Sequence, residues 1–129
     1  MKKIITFGTF DVFHLGHLRI LERSRELGDY LVVGVSTDEM SIDKKGRPPI
    51  YGFAERCRIL MALEVVDEVF PEESLEQKRK YIQENNADIL VMGDDWKGKF
   101  DCLQDICSIV YLPRTPAIST TAIIEKIRD

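Results

Sequence analysis

The stretch KIITFGTFDVFHLGHLRILERSRELGDYLVVGV, residues 3–35, reads as strand, loop, helix and strand in succession. Lys3 to Phe7 is a short apolar and β-branched run that stops at Gly8, as a buried strand stops before a turn. From Leu15 the apolar positions Leu15, Leu18, Leu21 and Leu27 recur at helical spacing, and Gly28 supplies a C-terminal stop. Tyr30 to Val35 is continuously apolar, the pattern of a strand covered on both faces in a parallel sheet.

The rest of the chain repeats the alternation. Ser41 to Gly52, with Lys44, Lys45, Gly46, Arg47, Pro48 and Pro49, offers little to a core and reads as a mobile basic loop. Ala54 to Glu64 reads as a helix, Val65 to Phe70 as a strand, and Leu75 to Asn85 as a polar helix with Tyr81 and Ile82 turned inward. Ile89 to Met92 is a further buried strand, followed by the turn-rich 93–99 loop, a short helix through Leu103 and Ile106, and the strand Ile109 to Leu112. A last helix starts near Ser119. The expected fold is α/β: one domain over 1–129, a doubly wound, Rossmann-like, five-stranded parallel sheet with helices on both faces. In such sheets ligands lie at the carboxyl ends of the strands, so the loops after Phe7, Val35, Met92 and Leu112 are expected to converge.

Bulk properties narrow the function. The 129 residues carry 18 Lys and Arg against 22 Asp and Glu, a net charge of -4, which argues against a nucleic-acid partner held by many phosphate contacts. No apolar stretch approaches the roughly 18 residues of a membrane span, and no signal-peptide pattern opens the chain, so a soluble, cytoplasmic protein without a membrane partner is expected. The three cysteines, Cys57, Cys102 and Cys107, lack zinc spacing and are read as small, mostly buried apolar residues.

The segment with the most chemistry is Gly8 to His17, where a glycine turn, two histidines and a helix start follow the first strand. A helix N-terminus offers unpaired N–H groups and partial positive charge to a phosphate, and Gly16 permits close approach. His14 and His17, three residues apart, share one side of the first turn and can donate to one cluster of oxygens. The alternatives are a helix cap at His14, a satisfied core histidine at His17, or a zinc pair, though no cysteine or carboxylate completes a zinc site nearby. A second helix start, Ser119-Thr120-Thr121, presents hydroxyls and N–H groups, and Arg114 precedes it with a guanidinium fork. Alone it reads as an ordinary cap; paired with the first it can clamp a triphosphate.

These residues resemble the nucleotidyltransferases with a His-x-Gly-His motif. Arg114-Thr115-Pro116-Ala117-Ile118-Ser119-Thr120-Thr121 is similar to the second signature of the cytidylyltransferase branch, and Gly93 to Asp101 is similar to a segment of its members that act on glycerol 3-phosphate. The resemblance implies in-line attack by an acceptor phosphate on the α-phosphorus of CTP, releasing pyrophosphate and forming CDP-glycerol for cell-surface polymers such as teichoic acid. It implies catalytic roles for His14, His17 and Arg114, and nucleotide contacts from Gly8, Thr9, Phe10, Asp11, Gly16, Gly93, Asp94, Thr115, Ile118, Ser119, Thr120 and Thr121. Acceptor contacts are implied for Asp11, Asp38, Lys44, Lys45, Arg47, Arg56 and Lys78. Mg2+ is expected to travel with CTP near Asp11, and a homodimer is expected by analogy. Two departures stand out: the 44–52 stretch is one residue longer than the pattern, and Glu64 stands where a basic residue is implied. Phosphoethanolamine, phosphocholine, another polyol phosphate or a phosphonate remain alternative acceptors, and a non-catalytic nucleotide-binding module is the alternative from a different class.

Overall fold

A computed structural model describes residues 1–114 and 120–128 of the chain. Five strands form one sheet: β1 (Lys3–Gly8), β2 (Tyr30–Ser36), β3 (Glu68–Glu72), β4 (Ile89–Gly93) and β5 (Ser108–Leu112). Five helices accompany them: α1 (Leu15–Glu26), α2 (Asp38–Lys45), α3 (Phe53–Met61), α4 (Lys78–Glu84) and α5 (Thr120–Arg128). The strand order is β3-β2-β1-β4-β5 and every pairing is parallel, so the expected doubly wound sheet is present. The order reverses between β1 and β4, which opens a crevice at their carboxyl ends.

Alternation along the strands divides the core in two. Ile4, Leu31, Val33, Val35 and Val91 pack with Leu21 of α1 and Leu60 of α3 on one face. Ile5, Phe7, Val32, Leu90 and Met92 pack with Tyr81 and Ile82 of α4 on the other. Each fully buried aliphatic side chain of this kind contributes about 1.5–3 kcal/mol, so the two cores dominate stability. Carboxylates pin the amino ends of the strands: Lys3 N donates to Asp88, Lys2 N to Asp29 and Leu31 N to Asp67, each at 2.8 Å. With that end closed, the loops at the carboxyl end are left to serve a ligand.

Several elements differ from the sequence reading. The basic loop begins as helix α2: Thr37 Oγ1 accepts from Met40 N at 3.1 Å, and Gly46 ends the helix at φ 77°. The third helix stops at Met61, and β3 runs from Glu68 through Pro71 to Glu72. Pro71 is tolerated because β3 lies at the sheet edge, where one side of the strand needs no partner. The helix expected over 75–85 splits into a 3-10 turn, Leu75–Gln77, and α4, and the helix expected near Leu103 is a 3-10 turn, Asp101–Leu103. Cys57 and Cys107 are half-buried, but Cys102 is exposed, and all three are free thiols.

Candidate active site

A cavity of about 380 Å³ occupies the crevice at the carboxyl end of the sheet. Residues after β1 (Gly8, Thr9, Phe10, Asp11), after β2 (Ser41 to Ile50), after β4 (Asp95, Trp96) and after β5 (Arg114) line it, as does the first turn of α5. The four loops thus converge as the parallel sheet requires.

The loop after β1 is bent sharply. Phe10 and Val12 have φ of 54° and 47°, a region that L-residues occupy at a cost of about 1–3 kcal/mol each. Asp11, between them, offsets that strain. Its carboxylate accepts from Val12 N at 3.1 Å, Tyr51 N at 2.8 Å and Ile50 N at 2.7 Å, tying the β1 loop to the basic loop after α2.

His14 is the N-cap of α1. Its Nδ1 accepts from Gly16 N at 3.0 Å, while His17 Nδ1 accepts from His14 N at 3.3 Å, a reciprocal capping box built from two imidazoles. A ring nitrogen that accepts carries no proton, so in both neutral rings the hydrogen resides on Nε2. His14 Nε2 is buried and has no partner among the described residues. His17 Nε2 lies 3.4 Å from Thr120 Oγ1, whose hydroxyl donates to Asp11 O at 2.9 Å. Burial, and secondarily the proximity of His14, lowers the pKa of His17 to about 3, and burial lowers that of His14 as well. The rings stack with centroids 3.8 Å apart, which two imidazolium ions would not tolerate. The pair is therefore a fixed set of neutral donors on the cavity wall, one facing Thr120 and the other without a partner among the described residues.

Cations surround these donors. Lys44, Lys45, Arg47, Arg114 and Arg128 all line the cavity. Lys45 has its pKa lowered first by burial and then by Lys44, so a dianionic ligand there would relieve charge repulsion. Lys44 Nζ also sits 5.0 Å from the centroid of the Trp96 ring, bridging the basic loop to the loop after β4.

Arg56, Asp38 and Lys78, also implicated by sequence, stand away from this cavity wall in the structure. Arg56 is fully buried and donates to Tyr51 O, Thr9 O, Ser36 O and Asp38 Oδ1 at 2.7–3.0 Å. It braces the loops after β1 and β2 from beneath, with Asp38 as its counter-ion, and neither residue reaches the cavity wall. Lys78 is buried too, paired with Glu72 and 4.2 Å from the Phe7 ring centroid, also off that wall. The Asp11 oxygens receive three backbone N–H groups. Gly93 and the exposed Asp94 stand just behind Asp95 at the end of β4. Thr115, Ile118 and Ser119 lie outside the described residues.

The cavity also has walls that motif reading passed over: Ser41 on α2, Ile20 on α1, and Ile124 and Arg128 on α5. A signal existed for the last two, since 120, 124 and 128 recur at helical spacing behind a phosphate-ready helix start.

A family model described as cytidylyltransferase-like matches residues 5–126. The chain belongs to the cytidylyltransferase-like family. Among its relatives, the glycerol-3-phosphate cytidylyltransferase of Bacillus subtilis (strain 168) is 54% identical over 127 residues, 98% of each chain. The glycerol-3-phosphate cytidylyltransferase of Staphylococcus aureus is 43% identical, covering 98% of this chain and 96% of that one. Among solved structures, the lipopolysaccharide core biosynthesis protein from Thermoplasma volcanium GSS1 matches with a TM-score of 0.77 and 30% identity, over 89% of this chain and 98% of its own. In this cytidylyltransferase-like chain the family match extends across all four loops of the cavity and both helix starts.

Proposed function

We propose that the chain transfers the cytidylyl group of CTP to glycerol 3-phosphate, forming CDP-glycerol and pyrophosphate. The observation that carries this reading is the meeting of two helix starts across one cation-lined cavity, joined through His17, Thr120 and Asp11. The relatives named as glycerol-3-phosphate cytidylyltransferases, similar over nearly their whole length, support the choice of nucleotide and acceptor.

The triphosphate is held between the starts of α1 and α5, where backbone N–H groups and the helix dipoles favour anions. An oxygen of the acceptor phosphate attacks the α-phosphorus in line, and the bond to the β-phosphate oxygen breaks. The nucleophile is already an anion, so no general base is needed. The Nε2–H donors of His14 and His17 stabilise charge on the α-phosphoryl oxygens without having to gain or lose a proton. Arg114 neutralises the departing pyrophosphate, while Lys44 and Lys45 receive the acceptor phosphate. Gly93 and Asp94 are assigned to the cytosine side. Mg2+, when bound with CTP, supplies further charge neutralisation through phosphate oxygens and water; the described residues contain no cluster of three or more His, Cys, Asp or Glu to cage it.

The test is pyrophosphate release from CTP with a panel of acceptors. Glycerol 3-phosphate should give the highest kcat/KM. Turnover with phosphoethanolamine, phosphocholine or another polyol phosphate, and none with glycerol 3-phosphate, would retain the CTP chemistry and replace the acceptor.

A further inference from the structure

Ser41 sits on α2 with 2% of its surface exposed, and its hydroxyl has no hydrogen-bond partner among the described residues. That is unusual for a helical serine. The ordinary solution is to donate to the carbonyl one turn back, as Ser24 does to Ile20 O at 2.7 Å. Ser41 has the equivalent carbonyl available: Thr37 O accepts from Ser41 N at 3.1 Å, yet the hydroxyl does not use it. A buried hydroxyl left unpaired destabilises the protein unless something else supplies the bond.

Ser41 is part of the cavity wall together with Lys44 and Lys45. On a helix, positions three and four residues ahead share a face, so the hydroxyl and both ammonium groups belong to one patch. Such a patch suits a ligand with a phosphate at one end and a hydroxyl a few atoms away. We infer that Ser41 is a specificity-determining residue, whose hydroxyl hydrogen-bonds an alcohol group of the acceptor while Lys44 and Lys45 hold its phosphate.

This inference rests on the proposed reaction and narrows it to phosphorylated polyols. A hydroxyl donates and accepts, so it matches an alcohol in either sense. It gains nothing from a trimethylammonium group, and an acceptor without an alcohol leaves it unpaired, the condition under which a polar site discriminates most strongly.

The experiment compares wild type with Ser41→Ala and Ser41→Cys, the second keeping the volume while weakening the hydrogen bond. The acceptors are glycerol 3-phosphate and propyl phosphate, which has the same carbon count and no alcohol. Both substitutions should lower kcat/KM for glycerol 3-phosphate about tenfold, chiefly through the acceptor KM, and leave propyl phosphate and the KM for CTP unchanged. The Tm should not fall in Ser41→Ala, because no bond within the protein is lost. An unchanged ratio between the two acceptors, or an equal loss on both, would overturn the role of Ser41. A wild-type protein that uses another acceptor and not glycerol 3-phosphate would instead remove the acceptor reading before any variant is compared.

Discussion

His14 and His17 show how one residue can satisfy two demands. The sequence leaves a choice between a cap and a phosphate ligand, because a string of letters does not say which ring nitrogen does what. In the structure Nδ1 of each ring serves the helix start, while His14 Nε2 has no partner among the described residues and His17 Nε2 faces Thr120 Oγ1, so the alternatives describe opposite edges of the same ring. His17→Ala should therefore lower kcat about 10²–10³-fold, the usual loss for one preorganised donor, and cost about 1 kcal/mol of stability as a lost cap. Steady-state kinetics and urea unfolding measure the two effects separately. The depressed pKa adds a signature. An unfolded histidine gains its proton near pH 6.5, while His17 stays neutral in the fold down to about 3. The unfolded chain thus binds more protons over that range, and stability is full above pH 6.5 and falls as the pH drops toward 3. The contribution of His17 is at most about 1.4 kcal/mol per pH unit. Urea midpoints at pH 7 and pH 5 should fall less in His17→Gln than in wild type.

At the scale of elements, the sequence is least legible where local composition and tertiary role disagree. Lysines and prolines made 41–52 read as loop, but Thr37 at one end and Gly46 at the other bound a helix that carries Lys44 and Lys45 to the cavity. Gly46 has open space around its α-carbon and φ of 77°, so Gly46→Ala should cost about 1 kcal/mol from backbone conformation alone, and differential scanning calorimetry would record it. Lys78 is the converse case. A lysine in a polar helix reads as solvated and the family resemblance implies a ligand contact, but in the structure it bridges α4 to β3 through Glu72, with both side chains at most 3% exposed. Burial raises the pKa of Glu72 and lowers that of Lys78, against their mutual attraction. Removing one partner strands the other, so Lys78→Met should destabilise by about 3–5 kcal/mol, and adding Glu72→Gln should restore much of it. If the double variant were no more stable than the single, the pair would not act as a unit. Arg56 belongs to the same class: its value is the set of carbonyls it gathers, which no motif reveals.

For the whole molecule, strand periodicity and right-handed crossovers were enough to give the parallel sheet, and the sheet in turn dictates where the loops meet. What the sequence did not disclose is how the distant parts close on each other: Thr120 bonds Asp11 across 109 residues, and Ile20, Ile124 and Arg128 complete walls that no motif marks. The charge distribution has the same non-local character. The chain as a whole carries -4, yet five Lys and Arg side chains border one cavity, so positive charge is concentrated there against the sign of the whole. Fields between exposed charges decay over about 10 Å at 0.1 M salt and about 3 Å at 1 M. Raising the ionic strength from about 0.05 M to about 0.5 M should therefore increase the KM for CTP several-fold. The kcat should change little, because the donors at His14, His17 and the two helix starts are partly shielded from the salt. Arg128, exposed on the last turn of α5, acts through this field, so Arg128→Gln should weaken the salt dependence of KM while leaving kcat within about twofold. A KM for CTP that ignored salt in the wild type would mean that the cations serve the fold rather than the capture of the triphosphate.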